Sequence, residues 1–330
     1  MEKIITSQSN LQVCISVVIP TYKRADLLFK CLKALSLQTF NTDHFEVIVV
    51  HDGPDSDKSI KKLRSAFPFI RYYCLPENRG PAAARNYGWL NAKGTLIAFT
   101  DDDCVPDKNW LKCIWHNYND EPEIAFTGKV KVPLPLYPTD FELNISKLET
   151  ADFITANCAL TKNALLKVGG FDERFRMAWR EDSDLEFKLL SENVSIKKLS
   201  LALVVHPVRK AKWGVSIKEQ KKGMFNALLF KKFPFLYRQK IADGPPFVYY
   251  MMILFFTGIF LFIILNHLVL SSICAFSYLL MAMYLTIKRL RKTSRSMNHV
   301  LEMLITSIVI PFASVFWQWY GAIKYRAVFI

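Results

Sequence analysis

The sequence predicts an α/β domain with a mostly parallel central sheet, followed by C-terminal transmembrane helices, and three observations predict it. Short β-branched runs alternate with amphipathic stretches from residue 14 to residue 118. Within those runs, SVVI and VIVV are apolar without alternation, the habit of strands buried on both faces of a parallel sheet between helices. Residues 247–287 hold no Asp, Glu, Lys or Arg, which excludes a wholly soluble protein.

Taken in order, CISVVIP (14–20) reads as a strand, ADLLFKCLKALSLQ (25–38) as a helix and FEVIVV (45–50) as a strand. SIKKLRSAF (59–67) continues as helix, RYYCL (71–75) as strand, and PAAARNYGWLNA (81–92) as helix. TLIAFT (95–100) is then a strand and NWLKCIWHNY (109–118) a helix. Beyond these the pattern is less regular. IAFTGKVKV (124–132) looks like a strand, residues 155–170 like a strand entering a short helix, REDSDLEFKLLS (180–191) like a helix and SLALVVHP (200–207) like a last strand. Two apolar stretches, 247–268 and 269–287, are each near the ~20 residues that cross a bilayer as a helix, and so form a hairpin. A third, Val300–Trp319, is interrupted by Glu302 and Pro311 and ends in Trp317, Trp319 and Tyr320; interfacial, re-entrant and spanning placements are all open, with the first two favoured.

The net charge of +14 suggests a nucleic-acid partner until it is located. Residues 1–206 are balanced, whereas 207–240 hold ten Lys or Arg against Glu219 alone and 288–295 hold five against none. Those two runs flank the hairpin, where cytosolic cations belong, so the expected partner is a membrane and not nucleic acid. The first run is interleaved with Trp213, Phe225, Leu228, Leu229, Phe230, Phe233 and Phe235, a pattern expected of an amphipathic segment on an anionic leaflet. Seven cysteines without C-x-x-C spacing read as free thiols of a reducing compartment. MEKIITSQSN has no apolar run of signal-peptide length, which places residues 1–206 in the cytosol by expectation. Four segments are therefore expected: an α/β domain (1–206), a basic juxtamembrane segment (207–246), the hairpin (247–287), and a basic loop with the third hydrophobic helix (288–330).

Three acidic clusters follow expected strands or open an expected helix: Asp52, Asp101-Asp102-Asp103, and Glu181-Asp182-Ser183-Asp184. Ligands of open α/β sheets bind beyond the carboxyl ends of strands. Adjacent aspartates repel unless solvated or bound to a cation, and Mg²⁺ or Mn²⁺ prefers one or two carboxylates together with substrate phosphates. A single such cluster is as well explained as a solvated loop or a helix start; three at the ends of one sheet are not.

The strings SVVIPTYKRADLL (16–28), VIVVHDGPDSD (47–57), ENRGPAAARNYG (77–88), AFTDDDCVPD (98–107), LTKNALLKVGGFDERF (160–175) and REDSDLEFKLL (180–190) resemble, in order, glycosyltransferase family 2. The resemblance covers about residues 14–206 and implies the GT-A fold, a Rossmann-like nucleotide-sugar-binding domain, with inverting, metal-dependent transfer from a nucleotide-sugar donor. It implies that Pro20, Thr21 and Tyr22 contact the nucleoside and that Asp52 binds the base, with His51 standing where the family more often has a first aspartate. Arg79, Gly80 and Arg85 fall in the segment passing near the base and diphosphate. Asp101, Asp102 and Asp103 match the D-x-D region, whose outer pair touches the ribose and holds Mn²⁺ or Mg²⁺ through the diphosphate; His206 is a further metal candidate. Asp182 matches the base that takes the acceptor proton. Glu181 either contacts the acceptor or caps the helix, as does Asp184, and Trp179 stacks on an acceptor sugar or packs in the core. Where processive relatives carry Gln-x-x-Arg-Trp, this chain reads Gln220-Lys221-Lys222-Gly223-Met224, which favours one sugar per encounter. The expected acceptor is a lipid-linked or other membrane-held glycan, with the enzyme multi-pass in the plasma or inner membrane. The alternative is an inactive nucleotide-sugar-binding or regulatory domain on a membrane carrier, against which stands the lack of intramembrane charges.

Overall fold

A computed structural model describes residues 13–54 and 63–328. The expected leaderless start and residues 59–62 of the expected 59–67 helix lie outside the described residues, while residues 63–66 are helical. The chain divides into two units, Met1–Pro133 with Lys147–Pro207, and Leu134–Ser146 with Val208–Ile330. Residues 134–146, expected within the first domain, group with the second unit.

The first unit is built on β1 (Ile15–Thr21), α1 (Ala25–Ser36), β2 (Phe45–His51), β3 (Ile70–Cys74), α2 (Pro81–Leu90), β4 (Leu96–Phe99) and β5 (Val105–Pro106). It continues with α3 (Trp110–His116), β6 (Ile124–Lys131), β7 (Cys158–Thr161), α5 (Lys162–Val168), α6 (Glu181–Ser191) and β8 (Ser195–Val205); α4 (Asp140–Ile145) belongs to the second unit. The strands form one sheet in the order β3-β2-β1-β4-β7-β6-β8-β5. Pairing is parallel across β3-β2-β1-β4, as SVVI and VIVV predict, and every residue of β1 is buried. It turns antiparallel at β4/β7, β7/β6 and β8/β5, so the sheet is mixed rather than uniformly parallel. The last strand begins at Ser195, five residues earlier than expected, because its solvent-facing polar residues hide its start while β6 supplies parallel pairing from Ile124 onward.

Two pairings place the chemistry. The β1/β4 register sets Pro20 and Thr21 beside the aspartates that follow Phe99. Pairing of β5 with β8, Val105 on Val205, brings His206 next to Asp103 and Cys104. Between β6 and β8 the register shifts at Gly128/Lys129, and Asn157 fastens the irregularity. Its Nδ2 donates to the Lys129 and Ala202 carbonyls at 2.8 Å each, and its Oδ1 accepts from Trp110 Nε1 at 2.8 Å. Asn157→Ala would leave those buried groups unpaired, and an expected loss of about 2–4 kcal/mol is checked by denaturant unfolding against the unaltered chain.

In the second unit, α7 (Val215–Glu219), α8 (Met224–Lys232) and α9 (Pro234–Lys240) precede α10 (Phe247–Ile264), α11 (Leu268–Leu290) and α12 (Met297–Tyr325). The last three are each long and apolar enough to cross a membrane. The third is one helix: α12 runs for 29 residues through Pro311. Tyr278 Oη donates to the Ile308 carbonyl at 3.1 Å, next to the carbonyl that Pro311 leaves without its helical donor, so a neighbouring helix supports the backbone where the proline weakens it.

The amphipathic reading of the basic segment needs correction. Phe225, Leu228 and Leu229 are buried inside the unit and are not free to enter a leaflet, while Trp213 and Phe235 remain exposed. The reason is that the basic segment runs beside α12. Gly214 N donates to Glu302 at 2.6 Å, Lys221 lies 5.5 Å from the Trp317 ring centre, and Lys231 Nζ donates to the Tyr325 carbonyl at 2.9 Å. At Gly321 the approach is so close that a Cβ would sit 2.3 Å from the Met224 carbonyl oxygen. Arg289, one of the second basic run, is a tie rather than a loop cation. Its guanidinium reaches Asp140 at 2.8 Å, Thr306 at 2.7 Å, Ser307 at 3.2 Å and Ser216 at 3.1 Å.

Candidate active site

Asp52 directly follows β2, with its carboxylate turned into the chain. Oδ1 accepts from Arg79 N at 2.8 Å, and Oδ2 from Gly80 N at 2.8 Å and Asn78 Nδ2 at 3.0 Å. Three donors on one buried carboxylate make it the anchor of the 78–80 turn. Gly80 is required there: its φ is +96°, and a Cβ would lie 2.5 Å from the Arg176 carbonyl oxygen. Arg79 is half-exposed and pairs with Glu173. Beside this turn His51 is buried, with Nδ1 2.9 Å from the Gly53 carbonyl and Nε2 without a hydrogen bond. Tyr22 stands next to it, ring centres 5.7 Å apart, and is 38% exposed at the open end of β1.

The three consecutive aspartates face different ways. Asp102 is buried against β1, accepting from Thr21 Oγ1 at 2.7 Å and from Arg24 Nη1 at 3.3 Å. Burial pushes its carboxyl up to about 6, with Arg24 and Thr21 pulling in the opposite direction. Pro20 and Thr21 are buried too, so of the residues expected at the nucleoside only Tyr22 presents its side chain to solvent. Asp101 and Asp103 instead converge with Cys104 and His206, one ligand atom from each lying within 4.8 Å of the others. His206 Nε2 stands 3.7 Å from Asp103 Oδ1, longer than a hydrogen bond, and its Nδ1 has no hydrogen-bond partner. Two carboxylates and an imidazole suit Mn²⁺ or Mg²⁺. Cys104 is a poorer ligand, since burial and the neighbouring aspartates push its thiol well above the ordinary range and keep it protonated. The residues present therefore fit a divalent cation.

Arg85 joins this cluster to the start of α6. Its side chain is 2% exposed, with Nη2 2.7 Å from Asp101 and Nη1 3.1 Å from Glu181. The Phe171 ring centre lies 5.6 Å from its guanidinium carbon. Burial opposes its charge, yet Asp101 and Glu181 more than offset that and hold it protonated. Glu181 is buried as well; burial, then the adjacent Asp182, push it up to about 7 against the pull of Arg85. Asp182 is half-buried, and burial raises its pKa against the Ser183 amide, Arg180 and Arg85. The Ser183 N–H donates to Asp182 Oδ1 at 2.7 Å, leaving Oδ2 as the more basic oxygen. Immediately before the pair, Arg180 has φ +73°, a left-handed backbone that costs energy in a non-glycine residue, and its guanidinium lies 4.6 Å from the Trp179 ring centre. Trp179 is 39% exposed, which removes the core-packing alternative.

Sequence reading passes over Asn86. Its Nδ2 reaches the Phe171 carbonyl at 2.9 Å and Glu173 at 3.0 Å, while its Oδ1 accepts from Trp89 Nε1 and Phe171 N at 2.9 Å each. It thereby ties α2 to the 171–173 turn. Its adjacency to Arg85 in a helix with little apolar patterning was the available signal.

The glycosyl transferase family 2 model matches residues 16–169. The chain is 37% identical over 100 residues to glycosyltransferase AglE of Haloferax volcanii, covering 30% of this chain and 33% of that protein. It is 31% identical over 220 residues to validoxylamine A glucosyltransferase of Streptomyces hygroscopicus, covering 54% and 52%. To the pre-mycofactocin glycosyltransferase of Mycobacterium tuberculosis it is 26% identical over 210 residues, covering 59% and 43%. The chain thus spans between a third and about half the length of these curated relatives. A solved structure, the crystal structure of S. aureus TarS, aligns over 70% of this chain and 44% of that one at 19% identity and a TM-score of 0.49. Residues 16–169, with their parallel strands and the aspartates at their ends, are thus similar to glycosyl transferase family 2.

Proposed function

We propose that the chain is an inverting glycosyltransferase that moves a single sugar from a nucleotide-sugar donor to a membrane-held acceptor, a lipid-linked glycan of cell-surface polysaccharide or glycoconjugate synthesis. The observation that carries this reading is the Arg85 bridge, which holds Asp101 of the cation cluster and Glu181, the neighbour of Asp182, on one buried guanidinium. Donor-side and acceptor-side carboxylates then share a rigid framework. Tyr22 offers a ring for the nucleoside, and Asp52 acts through the 78–80 turn rather than by touching the base. Asp101, Asp103 and His206 would hold Mn²⁺ or Mg²⁺, which neutralises charge developing on the departing nucleoside diphosphate. Asp182 Oδ2 takes the acceptor hydroxyl proton as that oxygen attacks the anomeric carbon from the side opposite the leaving group, and inversion follows. The exposed Trp179 ring gives the acceptor sugar a stacking surface.

A panel of nucleotide sugars incubated with the purified full-length chain tests the reading, with release of the nucleoside diphosphate as the signal. No release from any donor, with either metal, would sink it. Chelation is expected to abolish release and added Mn²⁺ or Mg²⁺ to restore it; full activity in excess chelator would remove the cation from the proposal.

For the membrane, α10 and α11 are proposed to cross and to place the first unit on the cytosolic side of the plasma or inner membrane. α12 is proposed to be interfacial or re-entrant: from Glu302 to Tyr325 it accompanies a segment whose cations would otherwise be drawn into ~30 Å of hydrocarbon, while its middle meets α11 where Tyr278 donates to Ile308. A reporter fused after Ile330 should therefore be cytosolic, and an extracellular signal would overturn the arrangement.

A further inference from the structure

We propose that a pocket at the start of α12, built entirely from the second unit, binds a phosphate monoester or diphosphate group. The inference goes beyond sugar transfer and does not require it. The pocket encloses about 350 Å³, room for one or two phosphates and part of what they esterify. Its lining includes the exposed run from Arg209 to Trp213, with Lys210 and Lys212. It also includes the first turn of α12, Ser296, Asn298 and His299. Ser296 makes no side-chain capping bond, and the amides of a first turn have no intrahelical acceptor, so this end of a 29-residue helix presents donors and positive potential.

The second, independent observation is His299. Its side chain is 4% exposed, it lines the pocket, and neither ring nitrogen has a hydrogen bond. The nearest printed neighbour is Glu302 Oε2 at 3.7 Å, beyond hydrogen-bond distance. Leaving a buried imidazole unsatisfied costs stability, and a ligand oxygen placed between it and the helix start removes that cost. Acidic residues also line the pocket, but each has a partner: Asp140 holds Arg289, Glu142 accepts from Thr139 N, and Glu302 accepts from Gly214 N. The donors its lining offers, the Lys210 and Lys212 ammonium groups, the first-turn amides of α12 and the His299 imidazole, match a tetrahedral anion with three free oxygens better than a planar carboxylate with two. A lipid headgroup and a soluble phosphate present the same chemistry.

The test uses the full chain in uncharged detergent micelles, with chelator present so that the aspartate cluster holds no cation. Binding of short-chain phosphatidic acid and of inorganic pyrophosphate is measured by calorimetry, with short-chain phosphatidylcholine as the uncharged-headgroup control. Binding of phosphatidic acid alone assigns the pocket to a lipid headgroup, and binding of pyrophosphate, with or without the lipid, to the phosphate group itself. In either case Lys210→Ala/Lys212→Ala and, separately, the charge-neutral His299→Phe should weaken binding at least about tenfold. The pair Lys240→Ala/Lys288→Ala, which removes the same charge outside the pocket, should leave it unchanged. The proposal is overturned if neither anion binds, if phosphatidylcholine binds as well as phosphatidic acid, if the pocket variants bind normally, or if the outside pair weakens binding equally. Failure of donor turnover would bear on the transferase reading and leave this measurement standing.

Discussion

Asp182→Asn is expected to lower sugar transfer by about 10²–10⁴-fold while donor binding stays near that of the unaltered chain. The amide keeps the shape and can still accept from the Ser183 N–H, so α6 retains its first turn; what is lost is the lone pair that receives the acceptor proton. A transfer assay paired with donor titration separates the two effects, and near-normal turnover would remove Asp182 from the role of base. The pH dependence of the unaltered enzyme carries the same assignment. Burial raises the carboxyls of Asp182 and Glu181, the latter to about 7, so the pair stays partly protonated where ordinary carboxyls, near ~4, have ionised. The active form is the deprotonated one. Transfer should therefore rise with pH through the titration of the pair and fall on acidification, with the acid limb displaced upward from the ordinary carboxyl range. A limb centred near pH 4 would contradict it.

Arg85→Met should be the most damaging single change away from the base. It removes the counter-charge shared by two carboxylates, one of them fully enclosed, and breaking a buried ion pair in this way costs about 3–5 kcal/mol. Asp101 would also lose the contact that aims it at the cation cluster, so donor binding should weaken together with stability. Arg85→Lys distinguishes charge from geometry: an ammonium satisfies one carboxylate and cannot span both. It is expected to recover part of the stability but not normal donor affinity. Unfolding and donor binding near the unaltered values in Arg85→Met would refute the bridge as the organiser of the site.

The parallel half of the sheet was legible because buried β-branched runs admit few alternatives, and the order of the acidic strings was legible because each follows a strand end or opens a helix. The same reading could not tell which way a side chain turns. Asp102 sits between two residues that face the cation cluster, yet its own carboxylate points back at Thr21, because the three aspartates lie in the turn after β4, where side-chain direction follows no strand or helix period. The resemblance put Arg85 in the segment near the base and diphosphate, but not as a bridge; only folding brings Asp101 and Glu181, 16 and 96 residues away, to its two ends.

What the sequence by itself determined is local and periodic: strands buried on both faces, the charge-free hairpin, the placement of the basic runs beside it, and the family strings. Tertiary structure alone decided what happens to groups whose partners lie far along the chain. It turned the apolar residues 225, 228 and 229 inward against α12, made Arg289 a knot joining Asp140 to Thr306, and left His299 buried without a hydrogen bond. The physical reason is that periodicity reports which residues avoid water, whereas the pairing of buried polar groups depends on contacts between segments distant in sequence, which no local window contains.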